Sequence, residues 1–139
     1  MELNSISGTI VDSAITVHSA LGPGLLESAY LTCLAYELRS RGLTVQSQVP
    51  LPIVYRAIKL DAGYRMDLVV NHAVIVEIKA VTKVHPIHQA QLLSYLKLSG
   101  RELGLLLNFH EISMKNGIKR MINQPRPLEK TLRTPRTLR

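Results

Sequence analysis

Met66-Asp67-Leu68-Val69-Val70, then Asn71-His72-Ala73, then Val74-Ile75-Val76-Glu77-Ile78-Lys79, reads as two β-strands joined by a short turn. Both arms are apolar, yet Asp67, Glu77 and Lys79 interrupt them. A charge buried in a sheet is costly unless it is paired or holds a metal. The hairpin therefore hides an ion-pair network or carries a site. Alternation puts Ala73, Ile75, Glu77 and Lys79 on one face of the second arm, and Val74, Val76 and Ile78 on the other. On the first arm Arg65, Asp67 and Val69 lie together. The turn decides which face they join. A two-residue loop, Asn71-His72, pairs Asp67 with Val76 and sends it away from Glu77. A three-residue loop, Asn71-His72-Ala73, sets Asp67 opposite Glu77, with Cβ atoms roughly 5 Å apart. The odd loop or an equivalent bulge is expected, because it gathers the charges. Two carboxylates that close repel unless a cation sits between them. An oxygen-only donor set suits Mg²⁺ or Mn²⁺ rather than zinc. Lys79 would then lie beside the ion, where an ammonium stabilises transition-state charge or orients water. An Asp/Glu/Lys network on an ordinary strand face fits the same spacing.

Upstream, residues 4–21 read as a helix whose stripe is Ile6, Ile10, Ala14, Val17 and Leu21, capped by Asn4 or Ser5. His18 falls at the stripe's edge and reads as a boundary residue. Gly22-Pro23-Gly24 breaks the helix. A second helix spans 25–41, with Leu26, Tyr30, Leu31, Leu34 and Leu38 on its buried face and Gly42 at its end. At about 100° per residue Glu27 falls within that apolar face. Such a carboxylate needs an arginine, backbone amides or the Asp67/Glu77 site, where it would be a metal or water ligand or a brace. Residues 43–49 and 51–60 alternate like strands, with Pro50 and Pro52 marking an edge or bulge.

Downstream, 80–86 reads as a loop and 87–99 as a third helix. His88, Gln91 and Tyr95 share one of its faces. Polar residues turned to water would give the same pattern. The apolar run 103–109 marks a strand buried on both faces. Strand–helix–strand makes a right-handed crossover, so this strand should run parallel to 74–79. A short strand is expected at 117–122. The result is an α/β sandwich around a mixed sheet: three antiparallel strands, a crossover helix, then a parallel strand.

The 139 residues suffice for one domain with a real core, and the 46% hydrophobic content is ordinary for a globular chain. No apolar run approaches the ~20 residues of a membrane span, and Met1 to Gly8 lacks a signal-peptide pattern. Cys33 stands alone and cannot form an internal disulfide, so it reads as a helix core residue. Together these point to the cytoplasm. The formal charge is +7, of which residues 124–139 contribute +4. We expect residues 1–123 to form the domain and 124–139 a flexible basic tail. The basic balance suits a polyanionic partner such as nucleic acid.

Gly24-Leu25-Leu26-Glu27-Ser28-Ala29-Tyr30 is a GxxExxY signature, and the chain resembles the GxxExxY protein family. Tyr64-Arg65-Met66-Asp67, Val76-Glu77-Ile78-Lys79, His88 to Leu98 and Gly104 to Phe109 extend the likeness over roughly residues 5–123. That family is similar to the PD-(D/E)XK nucleases. The resemblance implies a restriction-endonuclease-like α/β/α fold in which a helix acid, a strand Asp and an E-x-K strand bind Mg²⁺. Glu27 takes the helix-acid position, Asp67 the first strand acid, and Glu77 and Lys79 the E-x-K positions. Gln91 to Tyr95 is similar to the QxxxY motif of RecB-type exonucleases. One departure is Met66, which stands where a proline precedes the Asp in the superfamily's name.

The expected function is a metal-dependent nuclease acting on nucleic acid, DNA for preference. Asp67, Glu77 and the Ile78 carbonyl would hold Mg²⁺ or Mn²⁺, with Glu27 as a further ligand. Lys79 would stabilise developing charge, Gln91 and Tyr95 would position the strand, and Arg65 and the tail would contact phosphates. The alternative is a non-catalytic nucleic-acid-binding or assembly module that keeps the nuclease fold. The oligomeric state is open, a homodimer included.

Overall fold

The computed structural model describes residues 1–123, so the expected tail at 124–139 lies outside the described residues. Two helices, α1 (Leu3–Leu21) and α2 (Glu27–Ser40), precede strand β1 (Val45–Pro50). A short ribbon follows, β2 (Ile53–Tyr55) and β3 (Ile58–Leu60), then β4 (Arg65–Val70) and β5 (Val74–Lys79). Helix α3 (Pro86–Ser99) crosses to β6 (Leu103–Asn108), and a 3-10 turn at Met114–Gly117 leads into β7 (Ile118–Ile122).

The central sheet has five strands in the order β1-β4-β5-β6-β7. β5 and β6 are parallel, as the crossover requires, and every other neighbouring pair is antiparallel. Helices cover both faces. α1 and α2 bring Ile6, Ile10, Ala14, Tyr30, Leu34 and Leu38 against Leu68, Val70, Val76, Ile78, Leu105 and Leu107. α3 brings Leu92, Tyr95 and Leu96 against Val69, Ile75 and Leu106. β6 thus has core on both sides, and every one of its residues is buried. This is the α/β/α sandwich with a mixed sheet that the sequence predicts.

Four expectations need correction. The 51–60 segment is not a strand of the main sheet. It folds on itself as the separate β2–β3 ribbon, with Tyr55 opposite Ile58. Arg56 makes that turn at φ 54°, a conformation its side chain does not advertise. β1 therefore pairs directly with β4 and forms the sheet edge, where Pro50 is tolerated. Second, neither Asn4 nor Ser5 caps α1. The helix starts at Leu3 with Glu2 in the cap position, and the Ile6 N–H donates to the Glu2 carbonyl at 3.0 Å. Third, α2 starts at Glu27, so Leu26 precedes the helix and is exposed rather than part of its buried face. Fourth, His18 is buried, with its Nε2 2.8 Å from the Glu111 carbonyl oxygen, because the loop after β6 covers the end of α1.

Candidate active site

The β4–β5 turn fixes the site. Asn71 and His72 both adopt positive φ (51° and 57°), the geometry of a primed hairpin turn. Ala73 is the added residue, and its N–H donates to the Val70 carbonyl at 3.0 Å. Val70 then faces Val74, Val69 faces Ile75 and Leu68 faces Val76. That is the odd register, and continued one step it places Asp67 opposite Glu77.

The strands part at that step. Asp67 has no ladder partner on either side: β4 pairs with β5 only as far as Leu68, and with β1 through Leu68 and then Met66. Gln48, across from Asp67, sits at φ 53°. Side chains close the gap. The Asp67 N–H donates to Glu77 Oε2 at 2.8 Å, and the Ile78 N–H donates to Asp67 Oδ2 at 2.8 Å. Each carboxylate thus holds the backbone of the other strand, and the two are locked together.

Glu77 is 5% exposed and Asp67 half-buried. Burial pushes the Glu77 carboxyl up to about 8, and the charge of Asp67 adds to the shift. Burial also raises Asp67, against the pull of the Ile78 amide and of Lys79. Among the described residues the only ion pair within 4.0 Å is Arg41–Glu37, at 2.8 Å. A direct salt bridge to either site carboxylate is therefore absent there, and the simple ion-pair network fails. Once Glu77 gives up its proton, two facing carboxylates with a neighbouring backbone carbonyl form a hard-oxygen donor set, which fits a divalent cation of the Mg²⁺ type.

Glu27 shares the angular position of Tyr30, Leu34 and Leu38 but is not buried with them. It is exposed at the first position of α2, where a carboxylate suits the helix dipole, and it accepts the Ala80 N–H at 3.2 Å. It therefore braces the chain as it leaves β5. Among the described residues no three His, Cys, Asp or Glu side chains gather closely enough to hold one ion. Lys79 is half-buried on the Glu77 side of β5. It lines a groove of about 600 Å³ together with His88, Gln91 and Tyr95 of α3, and with Tyr64 and Ile53. His88, Gln91 and Tyr95 of α3 thus share a groove with Lys79. Asp67 and Glu77 are not among the groove's lining residues. Their charges still raise the Tyr95 hydroxyl, after burial as the larger cause.

Two supporting residues escaped the sequence reading. Asn108 is fully buried at the end of β6. Its Oδ1 accepts the Val81 N–H at 3.1 Å and its Nδ2 donates to the Val81 carbonyl at 2.9 Å, so it pins the loop that follows Lys79. An Asn closing an apolar run was the available signal. Tyr30 reads from the sequence as a core residue and as the tyrosine of the signature, without a hydrogen-bonding role. Its hydroxyl accepts the N–H groups of Gly24 and Leu25 and donates to the Gly22 carbonyl, while its ring stacks on Phe109 at 4.5 Å. Gly24 sits at φ 140°, which a side chain would resist. The signature's Gly, Glu and Tyr therefore form a loop clamp that presents α2 to the end of β5.

Residues 4–121 match the profile of the PD-(D/E)XK nuclease superfamily, and the chain belongs to that superfamily. Such nucleases act on nucleic acid and generally use divalent metal ions. Neither a curated protein nor a solved structure matches the chain. No helix of the described residues is long and apolar enough to cross a membrane.

Proposed function

We propose that this chain is a metal-dependent nuclease of the GxxExxY type that hydrolyses phosphodiester bonds, with DNA as its substrate and the cytoplasm as its place of action. The observation that supports this most is the interlock of Asp67 and Glu77, each bonded to the other's strand and neither within salt-bridge distance of a cation among the described residues. In this reading Asp67, Glu77 and the Ile78 carbonyl would hold Mg²⁺ or Mn²⁺, and Glu27, which braces Ala80, would serve as a further metal or water ligand. A bound ion supplies Lewis-acid activation of water and of the scissile phosphate.

The protein's own groups do the rest. Glu77 must lose its proton before it can ligate, which its raised pKa makes dependent on pH. Lys79 stabilises the charge that grows on the phosphate and orients the attacking water. Gln91 and Tyr95 hold the strand in line. Arg65 and the basic residues of 124–139 add contacts to phosphate that do not depend on sequence, the domain proper being 1–123. The second reading, a binding or assembly module without turnover, draws on the lack of a third clustered ligand side chain among the described residues. An activity screen over single-stranded, duplex and branched DNA and over RNA with Mn²⁺ separates the two. We expect cleavage by the wild type and a loss of roughly 10²- to 10³-fold in Lys79→Ala. No cleavage of any substrate by the wild type would give the binding module the field.

A further inference from the structure

We propose that the groove beside Lys79 takes an unpaired nucleobase, so that the protein engages single strands or frayed ends in preference to continuous duplex. The inference rests on the nuclease reading of the site and goes on to name its substrate class. The groove's volume, about 600 Å³, lies within the range of small-molecule sites. Its walls are not those of a phosphate-binding track. Among the described residues Lys79 is the sole lysine or arginine lining it, while Ile53, Ile87 and Leu98 make it apolar. Ile87 is 70% exposed and Tyr64 42%, both with apolar surface directed to solvent. The outside of a duplex is phosphate and would cover these residues without gaining counter-charge. An unpaired base brings an apolar face and a polar edge, and both are met. The rings of Tyr64 and Tyr95 meet at a steep angle, 67°, with centroids 6.3 Å apart, and the exposed part of Tyr64 offers ring surface on which a base can stack.

The polar groups complete the fit. His88 Nδ1 accepts the His85 N–H at 3.2 Å, so in the neutral ring the proton resides on Nε2, a donor for phosphate or base. Gln91, one turn further along the same wall, offers both a donor and an acceptor to a base edge. Lys79 belongs at once to this groove and to the strand that carries Glu77. A base held here would lie beside Lys79, two residues along the same face of β5 from Glu77.

Fluorescence polarisation tests this with the full chain in EDTA, using one labelled oligonucleotide as a single strand and as a blunt duplex. The single strand should bind at least tenfold more tightly. Tyr64→Ala should weaken single-strand binding roughly tenfold and leave duplex binding nearly unchanged, while Tyr64→Phe keeps the wild-type value. Equal or tighter duplex binding, or an unaltered Tyr64→Ala, would overturn the proposal. So would a wild-type dimer in sedimentation that Tyr64→Ala renders monomeric with strand preference intact, since the face would then join two copies. A strand preference without cleavage in Mn²⁺ would leave the base groove standing and remove the nuclease reading alone.

Discussion

Glu77 carries its proton some way above neutrality when the protein is folded, and near its ordinary 4.5 when it is not. Between those values the unfolded chain binds fewer protons than the native one, so stability falls as pH rises. We expect the melting temperature of metal-free protein to drop between about pH 5 and about pH 8. Glu77→Gln should flatten that part of the profile, because an amide keeps the hydrogen bond to Asp67 without a charge to bury. A slope of the same size in Glu77→Gln would place the cause elsewhere. The shared face of Asp67 and Glu77 was only half legible: strand parity left a two- and a three-residue loop open, and the three-residue loop is preferred because it gathers the charges, as the Val70–Val74 register bears out. What alternation could not reveal was the parting of the strands at Asp67, since a skipped ladder rung changes no residue type. The expected burial of Glu27 fails for a different reason: a helical wheel gives direction around the axis and not depth along it, and Glu27 stands at the first residue of α2, past the end of the core.

Helix α3 carries the groove face and the second core on one surface, so its height above the sheet sets the position of Gln91 and Tyr95. Gly104 of β6 leaves room for Leu92 of α3 to pack directly against the strand. A Cβ there would lie 2.9 Å from Leu92 Cδ1, closer than packed side chains approach. Gly104→Val should therefore lift α3, cost about 1–3 kcal/mol in denaturant unfolding and lower turnover as well. Retained stability with retained turnover would mean that α3 adjusts freely. The run containing Gly104 was readable as a strand buried on both faces, and the crossover rule then gave its direction. The β2–β3 ribbon was not readable. Ile53, Tyr55 and Ala57 continue an alternation that a reversal at Arg56 leaves intact, and neither Gly, Pro nor Asn marks the turn.

The molecule as a whole divides its labour between the two sides of one sheet. α1 and α2 build the larger core and, through the Tyr30 clamp and Glu27, hold the end of β5 in place. α3 covers a smaller core and leaves a groove that ends at Lys79. The sequence conveyed this architecture because each element's period matched its burial. It did not convey the groove, whose walls come from segments far apart in the chain, Ile53, Tyr64 and α3. The account stands on Asp67 and Glu77 sharing one cation, and calorimetric titration with Mn²⁺ tests that most directly. Wild-type protein should bind the ion with an enthalpy and affinity that both Asp67→Asn and Glu77→Ala abolish. Unchanged binding in either variant would contradict it.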